Sequence, residues 1–113
     1  MPCIAIKTNK EINKETEIFI KKKLAEAIKL IPGKSETWLM CLMEDNCKLW
    51  FSGSDSDAAY IEISIFGKAP NAVYDSITPA IMKIMYDELG IPADRIYIKY
   101  SETPYWGWNN KNF

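Results

Sequence analysis

Histidine is absent from this chain, and cysteine is limited to Cys3, Cys41 and Cys47. With no imidazole and no CxxC pair, a zinc site has almost no ligands to draw on. An odd, widely spaced set of cysteines also argues against a disulfide framework. Excess charge is missing as well. Fourteen Lys and Arg stand against fifteen Asp and Glu, so no global basic field exists to attract nucleic acid or anionic lipid. The only basic run, Lys21-Lys22-Lys23, reads as a solvated helix face. No apolar stretch is as long as a membrane span, which excludes membrane insertion by a helix. The first residues lack the charged and apolar regions of a signal peptide. The expectation is a cytosolic protein, or one exported by an unconventional route.

What is present fits one soluble domain, residues 1–113. Aromatic residues make up 12% and include four Trp, of which Trp106 and Trp108 fall near the C-terminus. They hint at packed or interfacial rings there.

Cys3 to Lys7 alternates and predicts a strand. Asn13 is a candidate cap for a helix over Glu15 to Ile31, where Ile20, Leu24, Ala27, Ile28 and Ile31 follow helical spacing. Pro32-Gly33 stops it. Thr37 to Met43 predicts a strand, Glu44-Asp45-Asn46 a turn, Lys48 to Ser52 a brief strand, and 53–57 a loop. The pattern then restarts. Ala59 to Phe66 is a strand. A helix follows Pro70-Asn71 and runs to about Leu89, with Pro79 inside it predicting a kink. Gly90-Ile91-Pro92 ends the helix. Arg95 to Tyr100 is a further strand, and Tyr105 to Trp108 a last short one.

The halves look like copies, because Ile4 and Ile63, Ile6 and Ile65, Leu30 and Leu89, Trp38 and Tyr97 share one offset. Each half is a βαβ unit. Together they predict an α+β protein with a four-stranded mixed sheet and both helices on one face. Apolar groups on both sides of the strands leave the second face to be covered by other subunits.

Pro2 offers a distinct chemistry. Once Met1 is removed, it carries a secondary amine fixed by its ring at the head of an apolar strand. Burial or a nearby cation lowers an amine's pKa, and a base titrating near working pH suits proton transfer. Alternatively, Pro2 merely starts a strand, a position where proline is tolerated.

Met1-Pro2 opening a strand, Pro32-Gly33-Lys34, Phe51 with Gly53-Ser54, and Phe66-Gly67-Lys68 form an ordered set. Leu89-Gly90-Ile91-Pro92, Asp94-Arg95-Ile96-Tyr97-Ile98, Gly107-Trp108-Asn109-Asn110 and Phe113 continue it. End to end, the chain resembles the macrophage migration inhibitory factor family. The resemblance implies the tautomerase fold, a homotrimer, and cofactor-free keto–enol tautomerase activity. The implied substrates are aromatic α-keto acids such as phenylpyruvate, and dopachrome-type compounds. It also implies a signalling role through a cell-surface receptor.

By the same resemblance Pro2 is the catalytic base and Lys34 binds the substrate carboxylate. The Phe66 backbone N–H faces the substrate, and Tyr97 closes the pocket from a neighbouring subunit. Trp38, Trp106, Trp108 and Phe113 shape the pocket. From the residues alone, Lys34 can equally be a solvated loop lysine and Tyr97 half-buried packing. Trp106 and Trp108 can cover a subunit interface instead. The Cys3 side chain should point away from the face carrying the Pro2 chemistry.

The chain departs from the family's mammalian members at four places. Ala58 and Ile61 stand where they have CxxC, which excludes thiol–disulfide chemistry there. Lys99 replaces an Asn, Trp38 a Tyr, and Phe66 an Ile, adding bulk or charge at the site. A signalling ligand with a vestigial pocket is the competing reading. Pro2 and Lys34 together favour a working pocket. A ferredoxin-like nucleic-acid binder is disfavoured by the charge balance and the missing RNP-like aromatic motif. Hydration or dehalogenation of an unsaturated acid on the same scaffold would call for extra acidic or arginine groups at the site.

Overall fold

The computed structural model describes residues Met1 to Phe113. Alternating burial makes Pro2–Thr8 the first strand, β1, with Ile4 and Ile6 fully buried on one face. Asn13 caps helix α1 (Lys14–Ala27), its side-chain oxygen accepting the Thr16 N–H at 2.8 Å. The helix ends before the predicted Ile31. It tightens into a 3₁₀ turn over Ile28–Leu30, a frequent device at helix ends.

The next strand, β2 (Met40–Glu44), begins later than Thr37, because Glu36–Trp38 forms a 3₁₀ turn. The brief strand predicted over Lys48 to Ser52 does not form. Phe51 and Ser54 make one isolated bridge, and the Leu49 and Phe51 carbonyls are instead captured by the Asn9 and Arg95 side chains, which also hold the Ser54, Asp55 and Ser56 carbonyls just beyond. Backbone acceptors satisfied in this way leave no ladder to build.

The second copy comprises β3 (Ala59–Phe66), α2 (Asn71–Leu89) and β4 (Ile96–Thr103). Gly90, at φ 69°, closes α2 by donating to the Tyr86 carbonyl at 2.9 Å. Pro79 lies on the exposed side of α2, and the helix runs through it without a break. Water can meet the Asp75 carbonyl that proline leaves without a donor. At the C-terminus the last strand starts at Gly107 rather than Tyr105. A small hairpin pairs β5 (Gly107–Trp108) with β6 (Lys111–Asn112). Its turn residues Asn109 and Asn110 take φ of 51° and 66°, as a two-residue hairpin turn requires.

The main sheet has the order β2-β1-β3-β4, with β1 antiparallel to β3 and each outer strand parallel to its inner neighbour. Both helices cover one face. Ile4, Ile6, Ile61, Ile63 and Ile65 meet Ile20 and Leu24 of α1 and Ile77, Ile81 and Met85 of α2 in one core. This is the predicted α+β architecture.

The opposite face differs from the expectation. It carries Lys7, Glu62, Lys99, Ser64 and Ser101 among the apolar Cys3, Ala5, Met40, Leu42, Tyr60 and Tyr97, so it is mixed rather than uniformly apolar. Met40 and Leu42 on β2 and Tyr97 on β4 are its large exposed apolar side chains, and Trp50 is exposed on the 47–57 loop. No helix is long and apolar enough to cross a membrane.

Candidate active site

Pro2 is buried at the head of β1, opposite Ile65 of β3. Its nitrogen is in the peptide bond to Met1. The backbone of Phe66 organises what surrounds it. Its N–H donates to the Met1 carbonyl at 3.0 Å, and its carbonyl accepts from Lys34 Nζ at 3.1 Å. Lys34 reaches this point because the chain reverses after α1. Gly33 takes φ 78°, a conformation glycine adopts without penalty, and the Lys34 N–H bonds the Ile31 carbonyl at 3.1 Å.

The electrostatics follow from this arrangement. Burial draws the Met1 amine down from 8.0 to about 6, and Lys34 adds to the effect through a hydrogen bond and its like charge. The Met1 amine is therefore mostly neutral at pH 7.

Aromatic rings wall the same end of the sheet. A cavity of about 380 Å³ opens against Pro2, bounded by Met1, Trp38, Leu39, Trp106 and Trp108. Trp38 meets Trp108 edge-on at 4.8 Å. Trp108 stacks near Phe113 at 6.4 Å, and Phe113 lies 5.9 Å from Phe66. The Phe113 N–H donates to the Trp106 carbonyl at 2.9 Å, which ties the terminus to this wall. Pro2, Lys34, Trp38, Phe66, Trp106, Trp108 and Phe113 are thus brought together within one protomer.

Tyr97 is not with them. Ile65, the partner of Pro2, pairs with Glu102 of β4. From Glu102 back to Tyr97 the strand runs about 17 Å toward the other end of the sheet. There the Tyr97 ring packs on Phe51 at 4.6 Å and stays 64% exposed.

Cys3 alternates with Pro2 along β1, so its side chain takes the opposite face as expected, while the residue still borders the cavity that opens against Pro2. Burial pushes its thiol pKa up, which leaves it protonated and a poor nucleophile. Burial likewise raises the Cys41 thiol. No three His, Cys, Asp or Glu side chains gather to hold a metal ion. The larger concavity, about 860 Å³, lies between α1 and the open edge of β2, against Ile18, Ala25, Leu39 and Leu42.

Two features escape a reading of the sequence. Met1 occupies the Phe66 donor, and Arg95 holds the loop beneath Tyr97. Both act through backbone carbonyls, and residue type alone does not reveal such contacts.

The family model for Macrophage migration inhibitory factor (MIF) matches residues 1–112 of this chain. The chain is similar to the macrophage migration inhibitory factor homolog of Brugia malayi, 29% identical over 100 residues that cover 88% of this chain and 86% of the relative. The solved structure of Leishmania major MIF2 superposes with a TM-score of 0.94 at 28% identity, covering 100% of this chain and 97% of that one. The homologue from Prochlorococcus marinus gives 0.84 at 28% identity, with 98% of each chain covered. With the mixed sheet, the two helices and the match along its length, this chain belongs to the macrophage migration inhibitory factor family.

Proposed function

We propose that this chain is a cofactor-free keto–enol tautomerase of aromatic α-keto acids such as phenylpyruvate and of dopachrome-type compounds. It works as a homotrimer, with the Pro2 amine as base after removal of Met1. Family membership supports isomerase-type chemistry in general. The observation that carries the finer reading is the environment at the head of β1, where Lys34 reaches the Phe66 carbonyl and burial with Lys34 draws the Met1 amine, one residue before Pro2, down to about 6.

Removal of Met1 changes two groups at once. The Pro2 nitrogen passes from an amide to a secondary amine, and the Phe66 N–H loses the Met1 carbonyl it now serves. That freed donor and the Lys34 ammonium then flank the amine and can hold a substrate carboxylate. The neutral Pro2 nitrogen takes a proton from the carbon beside the keto group. The electron pair moves onto the carbonyl oxygen, and the proton is returned there to give the enol. The reverse sequence gives the ketone. Lys34 fixes the carboxylate and disfavours protonation of Pro2. Trp38, Trp106, Trp108 and Phe113 receive the aromatic ring and exclude water.

Association supports the same reading. Both outer strands, β2 and β4, have an unpaired edge, and the concavity beside β2 is partly apolar. A neighbouring copy can cover these edges and bring its Tyr97 to a pocket that no protomer completes alone.

The test pairs the intact mass with phenylpyruvate ketonisation as a function of pH. Chains lacking Met1 should turn over, with kcat/KM falling as pH drops through the lowered pKa of the amine, because the protonated amine accepts no proton. In chains that keep Met1, folding stability should follow the Met1 amine. A folded amine pKa below the unfolded one means that the unfolded chain binds more protons, so stability rises between about pH 6 and 8. Equal turnover by chains that retain Met1 would remove Pro2 from the mechanism.

A further inference from the structure

Arg95 ends the 3₁₀ turn Ala93–Arg95 that leads into β4, and its guanidinium is committed to backbone. Nη1 donates to the Phe51 carbonyl at 2.6 Å. Nη2 donates to the Ser54 and Ser56 carbonyls at 3.1 and 2.8 Å, and Nε to the Asp57 carbonyl at 3.3 Å. The planar fork thus satisfies four acceptors of one loop, and no carboxylate pairs with it. The same guanidinium lies 5.2 Å from the Phe51 ring centroid, within cation–π range.

From the other side Asn9 Nδ2 donates to the Asp55 and Ser56 carbonyls, both at 3.0 Å. The loop is therefore held from two directions. Phe51 is the member of it held by both its backbone and its ring, and Phe51 is the aromatic partner of Tyr97. A tyrosine that is 64% exposed is otherwise free to change rotamer. Holding it on a fixed ring removes part of the ordering cost of any contact its outer face makes.

We infer that Arg95 is a positioning residue: through Phe51 it fixes the Tyr97 ring for insertion into the substrate pocket of a neighbouring copy. The inference rests on the trimeric tautomerase reading above. It assigns to the 51–57 loop the role of a rigid seat for a residue used by another subunit. Lysine cannot replace Arg95, because one ammonium cannot reach four carbonyls in the geometry of the fork.

The first readout is independent of turnover. Ring-proton NMR shifts of Tyr97 report the Phe51 ring current, and should collapse toward exposed-tyrosine values in Arg95→Ala and Arg95→Lys. The second uses Met1-processed protein confirmed as a trimer by light scattering. Arg95→Ala should raise KM for phenylpyruvate about tenfold, with kcat within about twofold, because a misplaced ring weakens binding and leaves the base in place. Tyr97→Ala should do the same. The double variant should be no worse than the poorer single one, since both changes remove one function.

Millimolar guanidinium should restore part of the KM of Arg95→Ala and none of that of Tyr97→Ala. If Arg95→Ala does not fold, Phe51→Leu keeps the backbone clamp, removes the ring, and should reproduce the KM effect. Unchanged Tyr97 shifts in Arg95→Ala, or additive KM effects in the double variant, would overturn the inference. Absence of phenylpyruvate turnover in the wild-type chain would overturn the tautomerase reading instead, and the NMR shifts would then decide the Arg95 clamp alone.

Discussion

In the first βαβ copy Ile4 and Ile6 face the helices from β1. In the second, Ile63 and Ile65 do so from β3, in antiparallel register beside them. The offset that aligns these pairs sets Pro2 against Ile61, Lys34 against Ala93, and Trp38 against Tyr97. The aligned isoleucines are interchangeable core residues. The other three pairs differ in chemistry. Ile61 is a fully buried mid-strand residue with no amine to offer, and Ala93 carries no charge. Trp38 sits in a 3₁₀ turn against Trp108, whereas Tyr97 lies on a strand against Phe51. The shared positions build the frame, and the candidate chemistry occupies the positions where the copies diverge. One end of the sheet gathers the amine, the cation and the tryptophans, and the other presents a single tyrosine on a clamped loop.

The sharpest way to break this comparison is to cancel Pro2 while leaving the frame intact. Inserting Ala between Met1 and Pro2 makes the proline nitrogen an amide in any processed form. Phenylpyruvate kcat/KM should fall about 10³-fold, in the range of general-base contributions, with the circular dichroism spectrum unchanged. Full activity in the extended chain would reduce Pro2 to a strand starter and leave the two copies functionally alike.

The frame itself should respond symmetrically. Ile6→Ala and Ile65→Ala each empty a fully or almost fully buried site in the shared core. Each should cost about 2–5 kcal/mol in urea unfolding. A large asymmetry between them would show that one copy dominates the stability of the sheet.

Lys34→Ala comes next. It removes a charge that the second copy lacks, and carboxylate inhibitors should bind roughly 10- to 100-fold more weakly, the equivalent of about 1.5–3 kcal/mol. Their methyl esters should lose little. Equal losses for acid and ester would mean that Lys34 supports the Phe66 carbonyl and does not meet the ligand.

The legibility of these features in the sequence follows from how each is encoded. Alternation at Ile4/Ile6 and Ile61/Ile63/Ile65, helical spacing at Ile20/Leu24, and stops at Pro32-Gly33 and Gly90 are local patterns, and the sheet and both helices followed from them. The Lys48–Ser52 strand failed because the acceptors in the 47–57 loop are satisfied by Asn9 and Arg95, distant residues whose contacts leave no periodicity. The early strand start at Thr37 failed because a 3₁₀ turn carries no repeat long enough to see. At the site, Pro2, Lys34 and the aromatic residues were legible as residue types and through the family resemblance. The Met1 carbonyl on the Phe66 N–H was not, since every residue carries a carbonyl.

The smallest contrast between the copies lies at the helix starts, where it can be measured without reference to function. Asn13 gives α1 a side-chain acceptor for the Thr16 N–H, whereas α2 begins behind Pro70, which has no side chain to cap with. α1 also has charged residues along most of its length, and α2 buries Ile77, Ile81, Ile84, Met85 and Leu89. The shorter, more polar helix depends more on its cap, because less of its stability comes from packing. Asn13→Ala should therefore cost about 1 kcal/mol. Pro70→Ala removes no capping bond and should change stability by only a few tenths of a kcal/mol, partly through the greater freedom it gives the unfolded chain. Denaturant midpoints of the two variants, at unchanged m-values, give the comparison directly. Equal losses would show that α2 has a hidden dependence on its proline. The two helix starts would then contribute alike, and the contrast between the copies would lie at the site residues alone.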